Sequence, residues 1–532
     1  MLKHIYRIIL LIAIFIASLY FFSKDIKEVV FNIDNTTMME DATFPLVTIK
    51  SDGVVINRLH GYSSNLDANS IREALTPIGV DGSFEVLINQ EDYDIKKLNF
   101  EVREFIGNEL VEKGSVSVFD ENNNVKTAKI NISTELQKGK EYAFKITLIT
   151  SESRKMYYYH RIKSYDESYL SEKLDFVMKF HEATKDKEAI LEYSANLEPD
   201  NKKENTSLAN VNIHSHIGLI SWGNLKPEFV TEVIPTVVEN YPDMASIELE
   251  YIVRANVSGI PELYRVKEYY RIRYSPSRMY LLNYDRRMES LFDINLISVS
   301  KSQLKLGITS DFELPYLSST DKKKFIFVRN KELWFYDLEE NEIVRIFSFR
   351  QDETDYIRDI YDQHDIRILN MDAEGNVDFM VYGYMNRGQY EGRVALVLYE
   401  YIRTEQRIEE KVYIPVDKPY QTLKENLGEI AYVNSLDVFY FHLYNKIYAY
   451  DLITRQITVL EDNVNREDVV TFYEKGYVAW QESSNLKDAN NIKIMNLETG
   501  ETQQINAGSE YKILLLDKID SNLICGFVAE SD

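Results

Sequence analysis

Apolar and polar residues alternate with period two through residues 44–165, as in Phe84-Glu85-Val86-Leu87-Ile88 and Val116-Ser117-Val118-Phe119. Side chains i and i+2 share one face of an extended chain, so this pattern predicts half-buried strands. Residues 120–124, Asp-Glu-Asn-Asn-Asn, separate two such runs and predict a hairpin. The region is expected to form an antiparallel β-sandwich. Asp120-x-Asn122-x-Asn124 matches the start of a calcium loop, but Val125 takes the glycine position and Asn131 the glutamate position. A plain turn is the reading.

The period changes between 166 and 193. Leu170, Leu174, Val177, Phe180 and His181 recur at helical spacing and predict an amphipathic helix, with His181 packed at the edge of its stripe. A polar loop follows, so 166–210 reads as a connector of helix and loop. Residues 211–290 read as a small α+β domain. A strand is expected over 211–220, then a helix from about Pro227 that Pro235 ends or kinks. Strand-like runs follow at 247–257, 263–274 and 279–284. The last two hold a band of tyrosines and arginines, among them Tyr264, Arg265, Tyr270, Arg271 and Tyr284, with Arg286 and Arg287 just beyond. Cross-strand pairing accounts for this band, and an aromatic and basic binding face is the alternative.

A loose repeat occupies the C-terminal part: WFYDLEENEIVRI (334–346), VLYEYIRTEQRIEEKVYI (397–414), YAYDLITRQITVL (448–460) and IKIMNLETGETQQI (492–505). Each copy reads as strand, polar turn and strand, and a further strand precedes it. The equivalent turn positions Asp337, Glu400, Asp451 and Asn496 are 63, 51 and 45 residues apart. Several strands per unit near this period predict propeller blades. The 291–532 domain is therefore expected to be β-propeller-like, with room for about five blades and so incomplete or truncated. It carries no Trp-Asp signature and no kelch double glycine. The fold class is thus mainly β with an α+β middle.

Residues 5–22, IYRIILLIAIFIASLYFF, change the picture at the other end. Eighteen helical residues span about 27 Å, close to a bilayer core. Bulky Leu19-Tyr20-Phe21-Phe22 follows Ala17-Ser18, so a signal-peptidase site is missing, and an uncleaved anchor is expected over 1–22. Residues 23–43 form a polar stem. The short N-terminal tail suggests that the bulk of the chain lies outside the cytoplasm. Net charge is −24, which argues against nucleic acid as a partner and suits a soluble exterior domain. A single cysteine, Cys525, rules out an intramolecular disulfide and reads as a strand residue.

The runs EYYRIRYSPSRMYLL (268–282) and VYGYMNRGQYEG (381–392), with the anchor and the propeller-like tail, resemble a group of uncharacterised single-pass membrane proteins of anaerobic Gram-positive bacteria. The resemblance implies location and architecture, and transfers no site residues.

Candidate chemistry is sparse. His214 and His216 would share a face if both lay in a strand, but zinc needs a third protein ligand and none is evident, so no metal and no cofactor are expected. There is no P-loop, no G-x-G-x-x-G and no G-x-S-x-G. Five scattered S-x-x-K matches lack a K-T-G companion. No catalytic residue is assigned. The most distinctive loop is 382–388, where Tyr382, Tyr384, Asn386 and Arg387 are the candidates for ligand or partner contact, with a rim hairpin as the plainer reading. The expectation is a membrane-anchored extracytoplasmic binding or regulatory protein without catalytic activity, with a protein partner in the envelope. The alternative is an envelope hydrolase or lyase with its site in the propeller channel. A structural subunit of a larger complex is a third reading, and oligomeric state stays open.

Overall fold

The computed structural model describes residues 39–203, 205–257, 259–293, 313–350, 356–481, 490–520 and 522–529, with short pieces at 30–31, 299–300, 303–304 and 306–309 and the single positions Leu11, Ile14 and Phe15. Strand accounts for 52% of the described residues and helix for 11%, so the protein is mainly β, built from many small antiparallel sheets. No helix among the described residues is long and apolar enough to cross a membrane. The expected anchor over 1–22 lies outside the described residues, apart from Leu11, Ile14 and Phe15.

Two five-stranded sheets come first. One orders Val54–Leu59, Leu46–Ser51, Ser83–Asn89, Val125–Asn131 and Asp120–Asn122. The other orders Leu75–Ile78, Lys155–Ser164, Glu141–Thr150, Ile95–Glu104 and Leu110–Val116. The alternation read from the sequence sends Val86 and Ile88 of the first and Phe144 and Ile146 of the second into one core. Asn123 and Asn124 both take positive φ (47° and 65°), which closes the 120–131 hairpin as a two-residue turn.

A six-stranded sheet follows. Its long strands Met244–Val257, Ile260–Ser275 and Arg278–Ser290 are flanked by Asn210–Asn212 on one side and by Glu228–Phe229 and Thr236–Asn240 on the other. Helix Leu170–Thr184 lies against it, with Leu170, Leu174, Val177, Phe180 and His181 all buried, as the spacing predicts. One hydrophobic core runs unbroken from Phe44 to Met288, so packing does not stop at residue 165.

Two local expectations are corrected. Residues 226–235 form no helix. Val230 N–H donates to the Ile252 carbonyl, and Asn57 N–H donates to that of Pro235, so pairing with neighbouring strands outweighs local helical preference. The strand expected over 211–220 ends at Asn212, and residues 213–216 turn into the short helix Ile217–Ile220.

Four four-stranded antiparallel units follow, over residues 316–347, 364–415, 427–462 and 469–506, then the hairpin Tyr511–Ile519 and Asn522–Ala529. Val30–Phe31 adds in parallel beside Glu342–Phe347 of the first unit. The first strand of each unit lies against the first strand of the next. The repeat is visible in its turns. Asp337 Oδ1 accepts the amides of Glu339 and Glu340, Asp451 Oδ1 those of Ile453 and Thr454, and Asn496 Oδ1 those of Glu498 and Thr499. Glu400 departs from the set. It lies inside the strand Val394–Ile402, its carboxylate 2.5 Å from Lys411, and the turn comes after it at Arg403–Glu405.

Candidate functional site

The strands Ile260–Ser275 and Arg278–Ser290 divide the tyrosine and arginine band between two faces. Tyr264, Tyr270, Tyr284 and Arg286 are buried on one, where Arg286 stacks over Trp222 at 3.8 Å and donates to the carbonyls of Leu219 and Ile220. Arg265 and Lys267 point to the other face. The register sets Lys267 opposite Arg287 and Arg265 opposite Glu289. On that side opens a cavity of about 650 Å³. Its far wall comes from the Asn330-Lys331 turn, from Asp365 at the start of the His364–Met371 strand, from Tyr382, and from Lys424 on helix Tyr420–Asn426.

Two carboxylates organise the floor. Arg265 pairs with Asp362 and with Glu250, and donates to the Ile360 carbonyl at 2.5 Å. Lys267 Nζ stands further off, 3.3 Å from Glu250 and 3.7 Å from Asp362. Asp365 pairs with Lys331, lies 2.8 Å from Lys424 Nζ, and accepts the Tyr420 hydroxyl at 2.5 Å and that of Tyr382 at 3.4 Å. Burial opposes the charge on both carboxylates. The cations outweigh it, Arg265 and Lys267 at Asp362, Lys331 and Lys424 at Asp365, and hold both groups below the usual carboxylate range. Burial, with Asp365 beside it, pushes the Tyr382 phenol up to about 12, so it remains a hydrogen-bond donor at neutral pH. Among the described residues six cations and four carboxylates line the cavity, and Glu250 and Asp285 pair with Arg265, Lys267 and Arg287 from outside the lining.

The four residues singled out in the sequence lie close together but serve different ends. Tyr382 reaches the cavity. Tyr384 is buried, and its hydroxyl donates to the Gly61 carbonyl at 2.7 Å. Asn386 Nδ2 donates to the Arg358 carbonyl at 2.7 Å, and Arg387 pairs with Asp359 at 2.7 Å with both side chains buried. The segment is therefore not an exposed rim hairpin. It joins the second four-stranded unit to the N-terminal sheets. His214 and His216 share no strand face. His214 Nδ1 lies 3.0 Å from the Glu198 carbonyl, and His216 precedes the Ile217–Ile220 helix. Among the described residues no three His, Cys, Asp or Glu side chains group as metal ligands. Cys525 is half-buried in its strand, and burial raises its thiol, which disfavours the nucleophilic thiolate.

One signal for the cavity was present in the sequence: the period-two placement of Arg265 and Lys267. The contributions of Lys331, Asp362, Asp365 and Lys424 come from segments whose approach no local pattern encodes.

No family model matches the chain, and no curated protein matches it. Solved structures give distant likenesses. A eukaryotic initiation factor is 11% identical over 51% of this chain and 67% of its own, with a TM-score of 0.25. Dipeptidyl peptidase 4 of Porphyromonas gingivalis is 9% identical over 50% of this chain and 46% of its own, TM-score 0.21. The tricorn protease is 11% identical over 51% of this chain and 35% of its own, TM-score 0.16. This chain thus spans less than half of either protease, and overlaps this slight decide neither fold nor function.

Proposed function

We propose that the chain is a membrane-anchored extracytoplasmic binding or regulatory protein, without catalytic activity, whose ligand site is the cationic cavity and which works beside a protein partner in the envelope. The apolar run 5–22 supports the anchor, and the runs at 268–282 and 381–392 support kinship with single-pass membrane proteins of anaerobic Gram-positive bacteria. In architecture, the two five-stranded sheets read as a β-sandwich. The successive four-stranded units, first strand against first strand, read as part of a β-propeller.

The observation that carries the binding reading is the make-up of the cavity. It offers ammonium, guanidinium and phenol donors. The paired cations keep Asp362 and Asp365 ionised, so neither is poised as the general acid that glycoside hydrolysis requires. This weighs against the hydrolase alternative.

The test is mild crosslinking in the membrane, pull-down, and identification of bound species by mass spectrometry, with Leu314→Trp beside the native chain. Leu314 is exposed on the cavity wall, so the indole fills the space without altering its charge. One dominant bound partner or small molecule, depleted in Leu314→Trp, is the expected result. An identical set of bound species from both chains overturns the reading.

A further inference from the structure

We infer that the ligand of this cavity is a small dianion, a phosphate monoester or a dicarboxylate, held by Lys267, Arg287, Lys331 and Lys424. This rests on the cavity being the binding site and adds the chemical class of what it binds.

The first argument is a local cost. Lys267 and Arg287 stand directly opposite each other on adjacent strands, on the face that borders the cavity. Like charges at such a pair destabilise a sheet. Internal carboxylates relieve the cost only loosely. Among the described residues Lys267 Nζ approaches none closer than 3.3 Å, and Arg287 Nε lies 3.3 Å from Asp285. Both side chains are at least half exposed, so they can turn towards an incoming anion.

The second argument is charge and size. Among the described lining residues cationic donors outnumber carboxylates, six to four, and although Glu250 and Asp285 approach Lys267 and Arg287 from outside the lining, the wall itself presents ammonium and guanidinium donors suited to an anion. A volume of about 650 Å³ falls within the range of small-ligand sites.

The third argument is that the cavity already holds two oxyanions of its own. Asp362 lies between Arg265 and Lys267, and Asp365 is shared by Lys331 and Lys424 with the Tyr420 hydroxyl as a further donor. These are the donor types that a phosphate or carboxylate ligand takes up. The Lys424 side chain is about half exposed and can hold a second oxyanion while keeping Asp365. Tyr382 adds a neutral donor at the wall.

The experiment is calorimetric titration of the full chain in detergent micelles with inorganic phosphate, succinate and methyl glucoside. The expected result is binding of phosphate or succinate with Kd below about 1 mM at about 50 mM salt, weakening as salt rises. Lys267→Met and Lys424→Met should each weaken it roughly tenfold. Lys113→Met, an exposed lysine on the edge strand Leu110–Val116, should leave it unchanged. Preference for phosphate or for succinate assigns the phosphoryl or the dicarboxylate class. Failure of both anions to bind, or binding untouched by the two cavity variants, overturns the inference. So does a fall in the urea midpoint of those variants with anion affinity intact, which would assign the lysines to folding. Binding of methyl glucoside alone overturns the anion class while leaving the cavity as the site. The binding reading itself stands or falls separately, on Leu314→Trp in the crosslinking experiment.

Discussion

His181 ends the apolar stripe of helix Leu170–Thr184 and meets Glu268 at 2.8 Å, with neither side chain exposed. The hydroxyls of Tyr270 and Tyr284 donate to the same carboxylate at 2.8 and 3.1 Å. Burial opposes the charge on Glu268, yet His181 outweighs it and holds the carboxyl below its ordinary value. Glu268→Leu strands three buried partners and should cost about 3–5 kcal/mol, read as a lower midpoint in urea unfolding. Buried histidines set a pH dependence of their own. Burial, with lesser effects from nearby cations, pushes His160 down to about 3 and His364 down to about 4, against an ordinary 6.5. Both are neutral in the folded chain, while the unfolded chain takes up their protons below pH 6.5. Their contribution is therefore full above 6.5 and is lost as pH falls towards 4, at about 1.4 kcal/mol per unit for each. Denaturation midpoints should drop between pH 6.5 and 5, and the slope should flatten in His160→Gln.

At the scale of elements, local chemistry explains what was legible. Asp337, Asp451 and Asn496 mark turns because a short side-chain oxygen caps two backbone amides, an interaction contained within four residues. The second copy escapes this rule because its hairpin strands are longer, which leaves Glu400 in the ladder. Gly383 lies between Tyr382 and Tyr384 with φ of 126°. A Cβ there would sit 2.5 Å from the Gln363 carbonyl oxygen and 2.6 Å from the His364 Cα. Only glycine combines that backbone conformation with so close an approach. Gly383→Ala should cost at least about 2 kcal/mol. It should also disturb the cavity, because the strand it pushes carries His364 and Asp365. Thermal unfolding and anion titration of the same variant check both effects.

At the scale of the whole molecule, the N-terminal sheets and the C-terminal units share packing. Tyr62, Leu66 and Tyr159 cluster with Tyr384, Leu396 and Phe439. Glu391 clamps the entry to the first sheet, accepting Thr43 N–H at 2.9 Å, Thr43 Oγ1–H at 2.7 Å and Phe44 N–H at 2.8 Å. Glu391→Ala leaves these donors without their acceptor and should cost about 2–3 kcal/mol, with faster hydrogen exchange at the Thr43 and Phe44 amides as its local signature. The N-terminal sheets and the second four-stranded unit therefore depend on each other, although 348 residues separate Thr43 from Glu391.

The sequence by itself determined the strand-rich character, the 170–184 helix and its buried stripe, the turns of three of the four repeat copies, and the alternation that sets Arg265 and Lys267 on one face of their strand. Each follows from periodicity or from side-chain chemistry that acts within a few residues. Tertiary structure decided what lay beyond that reach. It turned the stretch after Pro227 into strands, because the six-stranded sheet offered partners for its amides. It buried Tyr384, Asn386 and Arg387 in a seam, and it brought Lys331, Asp365 and Lys424 against the Lys267 face to make a cavity. Charge at a distance in sequence leaves no local period, so only the packed chain reveals where the cations gather.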